Sequence, residues 1–181
     1  MLPRPSESAS LDQPRNAAVE TTDSSHEPLF DLSGIDLATR IHGRDRVEQF
    51  IPHRGAMSLV DHIIWEHPSR LQGVACKVVG DSEFWVPGHF PQQPLFPGVM
   101  MIETAAQFAA YLFKSRVSPG PSLVVFLRID DVSFRHMVRP GDSLYILCNE
   151  IKVGKRRFTS ASQGIVSGKI AFQGTLTGMI R

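Results

Sequence analysis

The rhythm of apolar and polar positions divides the chain. From residue 1 to about 30 it is largely Ser, Thr, Pro, Asp and Glu, with almost no large apolar side chains. Such a stretch buries too little surface to offset its ordering entropy, so a disordered tail is expected. Residues 31–45 mix apolar and polar positions without a clear period, and a weakly structured extension is expected there. From residue 46 to 181 the pattern is that of one folded domain. Met57 to Glu66 reads as a first strand around Leu59, Val60, Ile63 and Ile64. Leu71 to Val79 reads as a second, with Leu71, Gly73 and Ala75 alternating before Val78 and Val79.

The stretch from Asp81 to Gly98 is too rich in proline to be regular. Val99 to Lys114 is the one convincing helix. Pro97 and Gly98 suit its entry, because an N–H missing in the first turn costs nothing. From Val99 to Ala110 it is apolar on nearly every face, broken by Glu103, Thr104 and Gln107, and a helix of that kind is buried. After the turn-forming residues 118–122 come four strand-like runs: Leu123 to Phe134, Ser143 to Val153, Arg157 to Val166 and Ile170 to Ile180. Breaks fall at Arg139–Asp142, Gly154 and Gly168. Two strands, a loop, one long buried helix and four strands predict an α+β fold with a single helix wrapped by an antiparallel sheet.

Composition narrows the function classes. The chain has 181 residues and a formal net charge of +1, which gives no global signal for nucleic acid or an acidic membrane. No run approaches 18 apolar residues, so no membrane span is expected. The first residues lack an apolar signal-peptide core, and Glu7, Asp12, Glu20 and Asp23 argue against a transit peptide. Cys76 and Cys148 lie far apart in sequence with no metal or redox spacing, so both are expected as reduced core residues of a cytoplasmic protein.

The candidate chemistry lies in Gly88 to Gln107, GHFPQQPLFPGVMMIETAAQ. His89 sits in a loop stiffened by Pro91, Pro94 and Pro97, and Glu103 follows inside the apolar helix. Burial favours the neutral form of a carboxyl, and histidine serves as a base near neutral pH. A base and a neutral acid on opposite sides of a substrate suit the removal of water. The first helical N–H groups, near Gly98 and Val99, can polarise a carbonyl. Gln107, one turn after Glu103, can orient it. The residues themselves leave a second reading open, in which His89 is a structural loop residue and Glu103 a carboxylate awaiting a partner.

The segment resembles the signature of the (3R)-hydroxyacyl-acyl-carrier-protein dehydratases of the FabZ type, which have the hot-dog fold. Ile51-Pro52-His53-Arg54, followed by Leu59-Val60-Asp61, is similar to the motif near that family's start. Gly88 to Val99 matches its Gly-His-Phe-Pro core, Glu103 and Gln107 match its helix, and Phe134 to Asp142 matches its Phe-Arg-x-x-Val-x-Pro-Gly-Asp segment. The resemblance spans about residues 46–181. It implies that His89 is the base and Glu103 the acid, facing each other across a homodimer, with a trimer of dimers as the further assembly. Water then leaves a 3-hydroxyacyl thioester carried by an acyl carrier protein, in fatty acid biosynthesis, and no cofactor or metal is needed. Glu at the helix position, where the FabA-type isomerases have Asp, points to dehydration alone.

Two segments depart from the family: Gly55-Ala56-Met57 replaces a bulky Tyr-Pro-Phe, and Arg135-His136-Met137 lacks a usual proline. Both bear on the acyl chain and the carrier. A polyketide or polyene chain, or a coenzyme A thioester, is therefore the alternative substrate. A hot-dog thioesterase and a non-catalytic acyl-thioester-binding module are more distant readings. In the resembling family the motif holding His53 is structural. Phe84, Trp85, Phe90 and Phe96 are expected in the core or along the acyl tunnel, with Phe90, Gly98 and Val99 against substrate. Residues 134–157 carry six cations against Asp142 and Glu150, a net of +4. Arg135, Arg139, Lys155, Arg156 and Arg157 form either a carrier-docking rim or a solvated strand edge.

Overall fold

An apolar helix with no polar face has to be covered on all sides, and the sheet of this protein curves to do so. The structure is a computed structural model and describes residues 27–117 and 122–181. Its helix α2, Gly98–Val117, buries most of its length, from Met101 and Thr104 through Ser115. The sheet has seven strands: β1 His42–Gly43, β2 His62–Glu66, β3 Gln72–Val78, β4 Val124–Phe134, β5 Ser143–Val153, β6 Arg157–Val166 and β7 Lys169–Ile180. Their order is β1-β2-β3-β5-β6-β7-β4, and every pairing is antiparallel. A short helix α1, Arg44–Glu48, follows β1, and a 3-10 turn spans Gly55–Met57. This is the expected α+β layout, the hot-dog fold, with one helix in the hollow of an antiparallel sheet.

Strand alternation sorts the core into two layers. In β3, Ala75 faces the helix with Phe108, Leu112, Ile146 and Phe172, whereas Val74 and Cys76 face outward with Ile64, Leu147 and Ile165. That outer layer is not open to water. Residues 29–37 cross it as a strap, packing Leu29, Phe30, Leu32, Ile35 and Leu37 onto it. Gln163 pins the strap, accepting from the Leu29 N–H at 3.0 Å and donating to the Glu27 carbonyl at 3.1 Å. The tail expected over residues 1–30 lies, through residue 26, outside the described residues, as does most of the turn at 118–122.

Five of the six expected strands start and end within one residue of their observed limits. The first does not. Met57 to Glu66 was expected to be one strand, yet only His62–Glu66 joins the ladder. The Gln107 side chain takes the Leu59 N–H and the Met57 carbonyl, so those backbone groups have no call on a neighbouring strand. At the far end of the sheet, β4 pairs only with β7 among the described residues, which leave its other edge unpaired.

Candidate active site

The loop holding His89 is anchored before it reaches the histidine. Lys77, buried near the end of β3, places Nζ 2.8 Å from Glu83 Oε1. Glu83 also accepts from the Gly80 N–H at 2.8 Å and from Trp85 Nε1 at 3.0 Å. Burial pushes the Glu83 carboxyl upward, but these donors outweigh it and hold it below its ordinary value. Trp85 packs on Phe96, and its carbonyl accepts the His89 N–H at 2.9 Å. His89 is then clasped by Leu95: Nδ1 lies 2.8 Å from the Leu95 carbonyl, and the Leu95 N–H donates to the His89 carbonyl at 2.9 Å. A carbonyl only accepts, so Nδ1 carries the proton and the lone pair sits on Nε2.

Helix α2 starts beside this loop. The Pro97 carbonyl takes the Met100 and Met101 N–H groups, which leaves the Gly98 and Val99 N–H groups as the free donors of the first turn. A Cβ on Gly98 would come within 2.7 Å of the Phe134 ring, so glycine lets the helix start against the end of β4. Val99 is 70% exposed and Phe90 54%, an apolar surface at the mouth of the site. Trp85 and Phe96 are core residues, and Phe84 is exposed.

Glu103 lies one turn further in. Gln107 Nε2 donates to its Oε1 at 2.9 Å, and His53 Nε2 stands 3.3 Å from the same oxygen. Burial pushes the Glu103 carboxyl up, yet the contacts with His53 and Gln107 outweigh it, and the net shift is downward. This corrects the expectation of a carboxyl kept neutral by its apolar helix: within one protomer Glu103 rests as a carboxylate. No hydrogen bond or ion pair joins His89 to Glu103 among the described residues. The segment 51–59 comes instead to Glu103, and it is held there by Arg54, whose guanidinium donates to the carbonyls of Glu48, Ile51 and His53 at 2.7–2.8 Å.

The basic stretch does not form one rim. Arg135 and Arg139 follow β4 at the end of the sheet that holds Phe134 and the start of α2. Lys155, Arg156 and Arg157 sit in the β5–β6 hairpin at the opposite end, and Arg156 donates to the Ile180 carbonyl. The length of β5 separates the groups by about 33 Å at ~3.3 Å per residue. Nearness in sequence misled here because β5 runs the length of the sheet between them. The clamp of Lys77 and Glu83 and the contact of His53 with Glu103 went unread, although a lysine inside the apolar run 74–79 marks a buried cation that needs a partner.

Three comparisons bear on this arrangement. Residues 51–175 match the family model described as FabA-like domain. The chain is 38% identical over 135 residues to the 3-hydroxyacyl-(acyl-carrier-protein) dehydratase FabZ of Streptococcus equi subsp. zooepidemicus, covering 73% of this chain and 93% of the relative. Among solved structures, it resembles the dehydratase heterocomplex ApeI:P of Xenorhabdus doucetiae, with a TM-score of 0.63, 20% identity, and 75% and 90% of the two chains covered. A hypothetical thioesterase of Streptococcus pneumoniae with coenzyme A gives a TM-score of 0.51 at 13% identity, with 66% and 84% covered, a likeness of fold alone.

Proposed function

We infer that this chain, which belongs to the FabA-like family, is a hydro-lyase that removes water from 3-hydroxyacyl thioesters on an acyl carrier protein, in fatty acid biosynthesis. The observation that carries the reading is the clasp of His89 Nδ1 on the Leu95 carbonyl, because it leaves Nε2 as a base aimed out of the loop. His89 Nε2 takes the proton from C2 of the substrate. The C–H electrons become the C2–C3 double bond, and the C3 hydroxyl leaves as water with a proton from Glu103. The thioester carbonyl is polarised by the free N–H groups at Gly98 and Val99. Proton exchange with solvent then returns His89 and Glu103 to their starting forms.

Glu103 needs a proton for this step, and its side chain is 25% exposed in the protomer. Substrate and a second copy of the chain cover it further, and the added burial shifts the carboxyl toward its neutral form. The second copy supplies its His89 opposite Glu103. The unpaired edge of β4, with Leu127 and Ile129 about half-exposed, suits antiparallel pairing between two copies. Arg135 and Arg139, beside the start of α2, are placed to meet an acidic carrier or the phosphate of its arm. Cys76 and Cys148 are free and buried, which supports a reducing compartment such as the cytoplasm. Among the described residues no helix is long and apolar enough to cross a membrane.

Product identity tests the reaction. With 3-hydroxyacyl groups on carrier protein and on coenzyme A, the protein yields trans-2-enoyl product, faster from the carrier. Release of free acid without the enoyl absorbance contradicts it. A clear preference for coenzyme A moves the substrate to that alternative.

A further inference from the structure

Glu103 has two carboxyl oxygens in unlike settings. Oε1 faces both Gln107 Nε2, at 2.9 Å, and His53 Nε2, at 3.3 Å. Oε2 has no hydrogen-bond partner among the described residues. The other nitrogen of His53, Nδ1, is buried and unpartnered. An unmatched buried polar atom is unfavourable, so a ring held in this way is held against a local cost. The restraint comes from Arg54, whose three carbonyl contacts fix the turn that presents His53.

We propose that His53 is a positioning residue for the acid: with Gln107 it caps Glu103 Oε1, so that Oε2 is the oxygen that carries and delivers the proton. A neutral carboxyl accepts two hydrogen bonds at its carbonyl oxygen and bears its hydrogen on the other. Two donors on Oε1 therefore place the acidic hydrogen on Oε2. When Oε2 passes that proton to the departing hydroxyl, the same two donors face a full carboxylate and bind it more strongly. Their stabilisation grows as the reaction proceeds, which lowers the barrier rather than tightening substrate binding. His53 faces the Glu103 carboxyl, and the Arg54 guanidinium holds the His53 carbonyl.

The proposal rests on the dehydratase reading, and the experiment separates the two. In His53→Phe, which keeps a ring and loses the donor, kcat falls roughly 10- to 100-fold with KM changed little. In His53→Gln, whose amide reaches the same place, most of the turnover returns. Carboxyl-carbon NMR of labelled glutamate, with Glu103 identified by its absence in Glu103→Gln, reads the acid directly and needs no substrate. Its titration midpoint moves up in His53→Phe and back toward wild type in His53→Gln. Should His53→Phe fail to fold, His53→Asn takes its place, because its amide is one methylene short of Glu103. An unchanged midpoint in the donor-less variant overturns the proposal, and so does a folded His53→Gln protein as impaired as the donor-less one. Full activity in His89→Ala instead sinks the dehydratase reading and leaves the titration comparison standing.

Discussion

Lys77 Nζ stands 2.8 Å from Glu83 Oε1, and this pair connects the end of β3 to the loop that carries His89. The lysine is buried, so its charge depends on its carboxylate partners, Glu83 and, at 3.7 Å, Asp61. Glu83→Leu removes the nearer partner, leaves the buried lysine with Asp61 at 3.7 Å, and frees the Trp85 indole N–H and the Gly80 N–H. The expected loss is about 2–3 kcal/mol of stability, read from chemical denaturation. Turnover drops with it, since the Trp85 carbonyl holds the His89 backbone. A stable variant with wild-type turnover would show that the loop is held by its prolines alone.

Gln107 makes three contacts from one buried amide: to Glu103, to the Met57 carbonyl and to the Leu59 N–H. Gln107→Leu leaves the buried Leu59 N–H and the Met57 carbonyl unmatched and removes a donor from Glu103. Stability declines by about 2–4 kcal/mol and kcat by at least tenfold, measured by denaturation and by enoyl absorbance. Gln107→Glu keeps the acceptor for Leu59 but places a second carboxyl beside Glu103, and activity then becomes dependent on low pH.

Much of this was legible beforehand, and the exceptions share a cause. The strands β5, β6 and β7 announce themselves by alternation between glycine-rich breaks, and α2 by apolarity on nearly every face. The pairing of His89 with its loop and of Glu103 with Gln107 follows from short separations along the chain. His53, by contrast, reaches Glu103 from 50 residues away. Lys77 meets Glu83 only because β3 ends where the loop begins. The strap, whose Leu29 bonds to Gln163, depends on a face of the sheet that no local pattern reveals. Pairings set by tertiary packing leave no periodic trace.

The strap gives a further test. Removing residues 1–41 uncovers Ile64, Val74, Leu147 and Ile165 on the outer face of the sheet. The truncated protein should melt several degrees lower and scatter more light as it self-associates. Equal melting temperature and particle size would mean that the strap adds nothing to the outer layer.

Glu150 sets a pH dependence of stability. Its side chain is fully buried beside Arg116, 2.8 Å away, and burial pushes its carboxyl from 4.5 up to about 7. The folded state therefore keeps this proton after the unfolded chain has released it. Stability from this group is present below about 4.5 and is lost as pH rises to about 7. Glu150→Gln removes that slope. The stability of wild type relative to the variant should fall by on the order of 2 kcal/mol between pH 5 and pH 8, measured by urea denaturation. A difference that does not change with pH would place the carboxylate in a well-compensated ion pair.

The most direct measurement mixes two disabled proteins. His89→Ala and Glu103→Gln are each expected to lose at least about a hundredfold in dehydration of a 3-hydroxyacyl carrier thioester. Exchanging subunits between them creates dimers in which one site has both side chains intact, so that activity recovers toward about a quarter of wild type. Recovery of that size, with dimers confirmed by mass, is the result for a site built from His89 of one protomer and Glu103 of its partner. Full activity in both single variants, or no recovery once mixed dimers have formed, contradicts it.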